Sequence, residues 1–352
     1  MIPPSLQAWF AALGVGLALY VAYSVLDFIW LYAVPVPRSR GLARYLHRDA
    51  SGQPPWALVT GASDGIGLAL SGELAAAGFN VVLHGRSPAK LARARDALSR
   101  AHPARSFRLL VADAASPSLY SASSLHPPPP PPPSSSSPDE PDAFDLAVVA
   151  PLAPLHLTVV VNNAGAGPAP RTFAPLAAHP RAAVLDALRL NAAFPALVAA
   201  ALVPRLRLRA PALLLNVASV SDEGLPLLSF YGAAKAAAHV LHVALAREEG
   251  EGGQGEGEGE VEVLSHRVGA VTGVSRVRDP PSLFRPRADA VARAILARTG
   301  CGRRGAVVPY WAHALQQAGL GLLPGWARER LVARVMWDLY RRQEGQEEKK
   351  GE

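Results

Sequence analysis

The octapeptide TGASDGIG, residues 60–67, constrains this chain more than any other stretch. It follows the apolar run WALVT (56–60) directly and opens an Ala/Leu-rich segment. Gly61 permits a tight turn, while Gly65 and Gly67 allow close approach of a phosphate and close helix packing. A glycine-rich turn set between a strand and a helix is the mark of a nucleotide-binding unit. The runs NVVLH (80–84), FRLLVA (107–112), TVVVN (158–162), ALLLNV (212–217) and VEVLSH (261–266) also read as strands. Residues 65–78, 88–101, 176–203 and 229–247 read as helices between them. Near-continuous apolar strands alternating with helices predict an α/β fold, a doubly wound parallel sheet of Rossmann type. Such a sheet binds ligands at the carboxyl ends of its strands.

From Ala8 to Val36 the only charge is Asp27. That run exceeds the about 20 residues a helix needs to cross a bilayer, and Trp9, Trp30 and Tyr32 are suited to its interfaces. Arg38, Arg40, Arg44 and Arg48 follow at once, which places the rest of the chain in the cytosol by the positive-inside bias. The chain has one cysteine, Cys301, so no internal disulfide forms, as fits a reducing compartment. A net charge of +7 favours anionic partners: a nucleotide cofactor, a CoA thioester or a lipid surface. No nucleic-acid partner is expected, because no Lys/Arg cluster is interleaved with stacking aromatics. HPPPPPPPSSSSPDEPD (126–142), within an insertion at 114–142, cannot form a helix or central strand. EEGEGGQGEGEGE (248–260) reads as a flexible acidic loop. The expected organisation is an anchor and basic linker (1–50), a nucleotide-binding domain (51–310) and a membrane-proximal C-terminal segment (311–352).

The second strand ends in HGRSPAK (84–90), without the carboxylate that would bind the ribose of NAD. Arg86 is instead suited to a 2′-phosphate, with Lys90 nearby, which predicts NADP(H). Tyr231 and Lys235 lie four apart on a predicted helix and so share one face. A cation held beside the phenol lowers its pKa from ~10 toward a useful range for proton transfer. Ser219 and Ser221 lie just upstream, Ser219 nearer the strand end. No metal site is expected.

At this point the chain resembles the short-chain dehydrogenase/reductase family. The matching motifs run in order: TGASDGIG (60–67), Asp113, NNAG (162–165), Asn191, Ser219 and YGAAK (231–235). The resemblance implies that Tyr231 exchanges the proton with a ketone oxygen and that Ser219 binds and polarises the carbonyl. It implies that Lys235 holds the nicotinamide ribose and that Asn191 holds a water in the proton relay. Gly61, Ser63, Asp64, Gly65, Ile66, Gly67, Arg86, Asp113, Asn163, Ala164, Gly165, Tyr231, Lys235 and Thr272 would line the cofactor site. Within the family, PYWAHALQQAGLGLLPGW (309–326) resembles the microsomal very-long-chain 3-oxoacyl-CoA reductase branch. That likeness implies reduction of a 3-oxoacyl-CoA in fatty-acid elongation at the endoplasmic reticulum membrane, alongside other elongase subunits.

Three departures stand out. Ser219 lies twelve residues before Tyr231 where the family has thirteen, which implies a deletion within 220–228. Val268-Gly269 stands where the family places a proline after the last strand, and the two low-complexity stretches are unusual for the branch. A hydroxysteroid dehydrogenase of 17-beta type and a catalytically weak scaffold of the elongation complex are the alternative readings.

Overall fold

The computed structural model describes residues 3–120, 142–167, 171–251, 260–274, 277, 279–303 and 305–351. The polyproline stretch, apart from Asp142, and residues 252–259 of the acidic stretch lie outside these.

Three strands are buried along their full length: β1 (Trp56–Val59), β2 (Asn80–Gly85) and β4 (Leu157–Asn162). An apolar strand buried on both faces needs layers above and below it, and a parallel sheet with crossover helices supplies them. With β3 (Phe107–Val111), β5 (Ala212–Ser219), β6 (Val261–Val268) and β7 (Gly305–Val307) they form one parallel sheet, ordered β3-β2-β1-β4-β5-β6-β7. The order reverses between β1 and β4, the switch point at which such sheets bind their ligands. Helices α2 (Gly65–Ala77), α3 (Pro88–Ala101) and α7 (Ala288–Ala297) bury Leu70, Leu74, Leu91, Val291 and Ile295 in one core layer. The opposite layer contains Phe194, Val198, Leu202 and Leu206 of α5 (Phe194–Arg207).

The predicted helix over 176–203 starts later, at Arg181, and runs unbroken to Arg207 with a π turn inside it. Pro180 precedes α4 (Arg181–Leu188), and a π-helical turn, Arg189–Ala193, joins it to α5. The strand β7 and helix α7 carry no expectation from sequence; β7 is three residues long and entered from Gly305 at φ +84. The acidic stretch is also corrected, because residues 248–251 complete helix α6 (Ser229–Glu251). Glu249 there is 6% exposed and accepts from Arg207 at 2.6 and 3.1 Å.

Helix α1 (Pro4–Ala33) is apolar on all sides, with Trp9, Leu13, Tyr20 and Leu26 exposed. It is long and apolar enough to cross a membrane by length and composition. Its carboxyl end is held by the sheet domain. Arg303 pairs with Asp27, Arg298 donates to the Leu31 and Tyr32 carbonyls, and Tyr32 donates to the Val308 carbonyl. Arg298 therefore places a cation where the helix dipole is negative. Helices α8 (Trp311–Gly321) and α9 (Gly325–Gly351) complete the chain. Gln343 of α9 accepts from the Thr172 and Phe173 amides at 3.2 and 3.1 Å, crossing the loop after β4.

Glu249→Gln should cost about 2–4 kcal/mol, because it leaves the Arg207 guanidinium without its carboxylate in a mostly buried site. The exposed neighbour Glu248→Gln should stay within about 0.5 kcal/mol of the parent. Urea unfolding of the two variants in detergent micelles measures the difference.

Candidate active site

The site assembles at the carboxyl edge of the sheet, where β1, β4, β5 and β6 end side by side. After β1 the chain turns at Gly61 (φ +67) and Gly65 (φ +57) into α2. A Cβ on Gly67 would stand 2.2 Å from the Gly61 carbonyl oxygen and 2.5 Å from Asn163 Nδ2, so only glycine fits there. Asp64 caps α2 by accepting from the Gly65 amide at 2.7 Å, leaving the Ile66 and Gly67 amides in a first turn that lacks intrahelical acceptors. Ser63 Oγ lies beside Gly85 at the end of β2. This is a cradle for a phosphate at a helix amino terminus.

Thr60 ties that cradle to the next strand. Its Oγ1 accepts the Asn163 and Ala164 amides, each at 2.9 Å, and Asn163 Nδ2 returns a bond to the Thr60 carbonyl at 2.9 Å. Gly165 then passes so close to Asn191 and Lys235 that a Cβ would meet Asn191 Oδ1 at 2.7 Å and Lys235 Nζ at 2.9 Å. Asn191 is fully buried inside the π-helical turn. Its Nδ2 donates to the Ala187 carbonyl at 3.0 Å and the Ala166 carbonyl at 3.2 Å, while Oδ1 accepts the Ala166 amide at 3.2 Å. Both amide hydrogens are thus spent on the chain itself.

Ser219 ends β5 and caps a short 3-10 turn, Val220–Glu223. Its Oγ accepts the Ser221 amide at 3.2 Å and the Ser221 hydroxyl at 2.9 Å. With both acceptor sites used, the Ser219 proton is free to point outward, and it favours the ionised form of the Tyr231 phenol. Ser221 is therefore the support of Ser219 and not its rival. Tyr231 sits in the first turn of α6. Burial is the dominant influence on it and pushes its pKa up; the Ser219 bond opposes this. The expected depression of Tyr231 by Lys235 is absent here, since Lys235 Nζ donates to the Val217 carbonyl at 2.9 Å. Burial lowers the Lys235 pKa to about 8.

Arg267, on β6, was not apparent in the sequence as a contributor. Its guanidinium grips Asp222 at 2.8 and 2.6 Å and Glu223 at 2.8 Å, fixing the turn that carries Ser219 and Ser221. The Ser221 carbonyl presses on Gly232, where a Cβ would lie 2.5 Å away. The turn after β5 is thus held tight between β6 and α6. Arginine alone in a strand has no positional signature, so sequence reading had no means of finding it.

The departure at Val268-Gly269 also has a structural reason. His313 of α8 packs on Gly269, where a Cβ would meet its ring at 2.8 Å. The Gly269 amide donates to His313 Nδ1 at 3.1 Å, which leaves Nε2 to donate to the Ala270 carbonyl at 3.2 Å. Thr272, expected to face the cofactor, turns its hydroxyl into its own loop toward the Val277 and Asp279 carbonyls. Asp113 is exposed after β3, with Oδ1 accepting the Ala115 amide at 3.1 Å. Arg86 is exposed after β2 and, among the described residues, makes no ion pair or hydrogen bond through its side chain. Among the described residues, no group of three or more His, Cys, Asp and Glu side chains could hold a metal ion.

Gly61, Gly67 and Gly165 let the backbone pack closer than any Cβ would allow, and the α2 amino terminus opens beside them at the carboxyl edge. These residues fit a dinucleotide. Arg267→Ala should lower kcat about tenfold, or ~1.4 kcal/mol of transition-state stabilisation, while the KM for cofactor stays unchanged. Steady-state kinetics make that split. Lys235→Met should stabilise the protein relative to the parent chiefly below pH 8, where the buried ammonium is charged. That advantage should shrink by on the order of 3 kcal/mol as pH rises from about 8 to 10.5, because the unfolded chain then also loses its proton. Urea unfolding across that window measures it, and the pH-independent loss of the Val217 bond cancels.

The sequence profile of the short chain dehydrogenase family matches residues 55–123 and 143–271, more than half the chain. A very-long-chain 3-oxoacyl-CoA reductase-like protein of Arabidopsis thaliana is 27% identical over 281 residues, covering 76% of this chain and 77% of its own. The very-long-chain 3-oxoacyl-CoA reductase of Pyricularia oryzae is 26% identical over 319 residues, covering 89% and 85%. Among solved structures, a short-chain dehydrogenase from Sphingobium yanoikuyae in complex with NADPH superposes with a TM-score of 0.53 at 21% identity. It covers 76% of this chain and 94% of that one. With its parallel sheet, glycine cradle and Ser-Tyr-Lys edge, this chain belongs to the short-chain dehydrogenase family, whose members are nicotinamide-dependent oxidoreductases.

Proposed function

We propose that this chain reduces long-chain 3-oxoacyl-CoA thioesters to 3-hydroxyacyl-CoA with NADPH, at the endoplasmic reticulum membrane with its sheet facing the cytosol. The observation that carries the reading is that Ser219 lies beside Tyr231, and Lys235 and Asn191 lie beside Gly165, at one sheet edge. The relatives named 3-oxoacyl-CoA reductases support the substrate class.

A nicotinamide held at this edge would supply the hydride for the ketone carbon. Ser219, polarised by two bonds from Ser221, donates a hydrogen bond to the carbonyl oxygen, keeping its own proton, and holds that oxygen beside Tyr231. Tyr231 gives its phenolic proton to that oxygen as the alcohol forms. Its raised pKa keeps the phenol protonated before reaction, which suits a reductase, and Lys235, held by the Val217 carbonyl, binds the nicotinamide ribose. Arg86, exposed and uncommitted at the end of β2, receives a 2′-phosphate, and no carboxylate in HGRSPAK repels it. The apolar α1, followed by four arginines, supports a membrane-anchored chain with a cytosolic site.

Purified protein should oxidise NADPH when given a long-chain 3-oxoacyl-CoA, and Tyr231→Phe should lower that rate by roughly 10²–10⁴. Activity confined to a steroid-ketone panel, or none with either class, would overturn the substrate assignment. Arg86→Ala should lower kcat/KM for NADPH by about 10–100-fold, the worth of a charged hydrogen bond, and leave NADH unaffected. Parallel assays with the two cofactors decide it.

A further inference from the structure

A cavity of about 550 Å³ lies between α1 and the C-terminal helices, and Glu223 of the turn after β5 reaches its edge. Ser24 and Asp27 line it on one side; Ala318, Leu320, Gly321 and Arg328 line it on the other. This fixes the height of the α8–α9 tip relative to α1. Tyr32 meets Val308 just before α8, and Ser24, farther along α1, shares the cavity with Leu320 and Gly321 at the far end of α8, so α8 runs outward along α1.

The depth of that tip in a bilayer then follows. Asp27 is paired with Arg303, and the next turns of α1 are held by Arg298, so the hydrocarbon boundary falls in the turn before Asp27. A further ~20 residues toward the amino end, from Ser24 back to Ser5, match the about 30 Å of a hydrocarbon core. The tip therefore stands at the membrane surface. It presents Leu322, 86% exposed, with Leu323 and Trp326, the latter 66% exposed. Arg330 lies over the Trp326 ring at 5.6 Å, and the first turns of α9 carry Arg328, Arg330 and Arg334 against one acid, Glu329. An exposed Leu-Leu-Trp apex backed by arginines matches the junction of acyl chains and anionic headgroups.

We infer that the α8–α9 tip is a second membrane contact, with Leu322, Leu323 and Trp326 seated among lipids at the cytosolic interface beside α1. The inference rests on α1 spanning a membrane, as proposed above. Its consequence reaches the site. From Trp326 to Gln343 the helix runs about 25 Å, and Gln343 binds the Thr172–Phe173 loop that follows Gly165. The hairpin is thus a strut from the bilayer surface to the edge of the substrate cleft, and it sets the orientation in which the cleft faces the membrane.

The lone Cys301 makes the test direct. In a Cys301→Ser background, full-length protein in phosphatidylcholine nanodiscs with a minor phosphatidylserine fraction is spin-labelled at Leu322→Cys or Trp326→Cys. Leu17→Cys serves as the α1 reference and the exposed Arg100→Cys as the aqueous one. Power-saturation measurements compare collision with lipid-soluble oxygen and with a water-soluble nickel chelate. Leu322 should resemble Leu17, with an oxygen-to-nickel ratio several-fold above that of Arg100, and Trp326 should be intermediate. A Leu322 label matching Arg100 while Leu17 reads as lipid overturns the second contact and leaves the anchor standing. Shielding of Leu322 from both reagents means that protein covers the tip, which also overturns it. A water-exposed Leu17 overturns the anchor and this inference together.

Discussion

The contact between Gly67 and the Gly61 carbonyl is the constraint on which the functional edge depends. With no side chain at either position, α2 packs against the end of β1 and aims its amino terminus across the switch point. Thr60 then carries the geometry sideways, since its hydroxyl accepts two successive amides of the loop after β4. Those bonds place Gly165 against Asn191 and Lys235. A backbone approach, not a charge, thereby sets the distance between the glycine-rich turn and Asn191 and Lys235.

Electrostatics act within that frame by withdrawal of water. Burial lowers Lys235 and raises Tyr231, which favours a neutral phenol in the resting protein. The polar atoms near them are paired with the chain: Lys235 with the Val217 carbonyl, Asn191 with Ala166 and Ala187, Ser221 with Ser219. Arg267 sits one layer out. It neutralises Asp222 and Glu223 and so lets two acids stand in the turn beside Ser219.

Much of the architecture was legible because it depends on local chemistry. Both-face burial forces continuous apolar runs, and each of the six runs read as strands is one, within two residues at either end. What escaped had weak local signals. The strand β7 is too short to show a period, and helix α7 follows a loop without a marked composition change. The helix expected over 176–203 begins only at Arg181, after Pro180, and it contains a π turn in which the Asn191 side chain reaches two carbonyls, a detail that Ala/Leu content does not mark. Glu249 was read as loop on composition, yet a tertiary partner, Arg207, holds it in α6.

The sequence by itself determined the fold class, the glycine cradle, the Tyr231–Lys235 spacing and the apolar length of α1, since each is a matter of periodicity or residue type over a few positions. Only the tertiary structure decided that Ser221 supports Ser219, that Arg267 tightens the turn after β5, and that Thr272 faces its own loop. It also paired Asp27 with Arg303 and set His313 on Gly269. These contacts join residues from 2 to 276 apart in the chain, and the longer of them have no trace in local pattern. The sheet brings such residues together at its carboxyl edge because parallel strands all end there, whatever their distance in sequence.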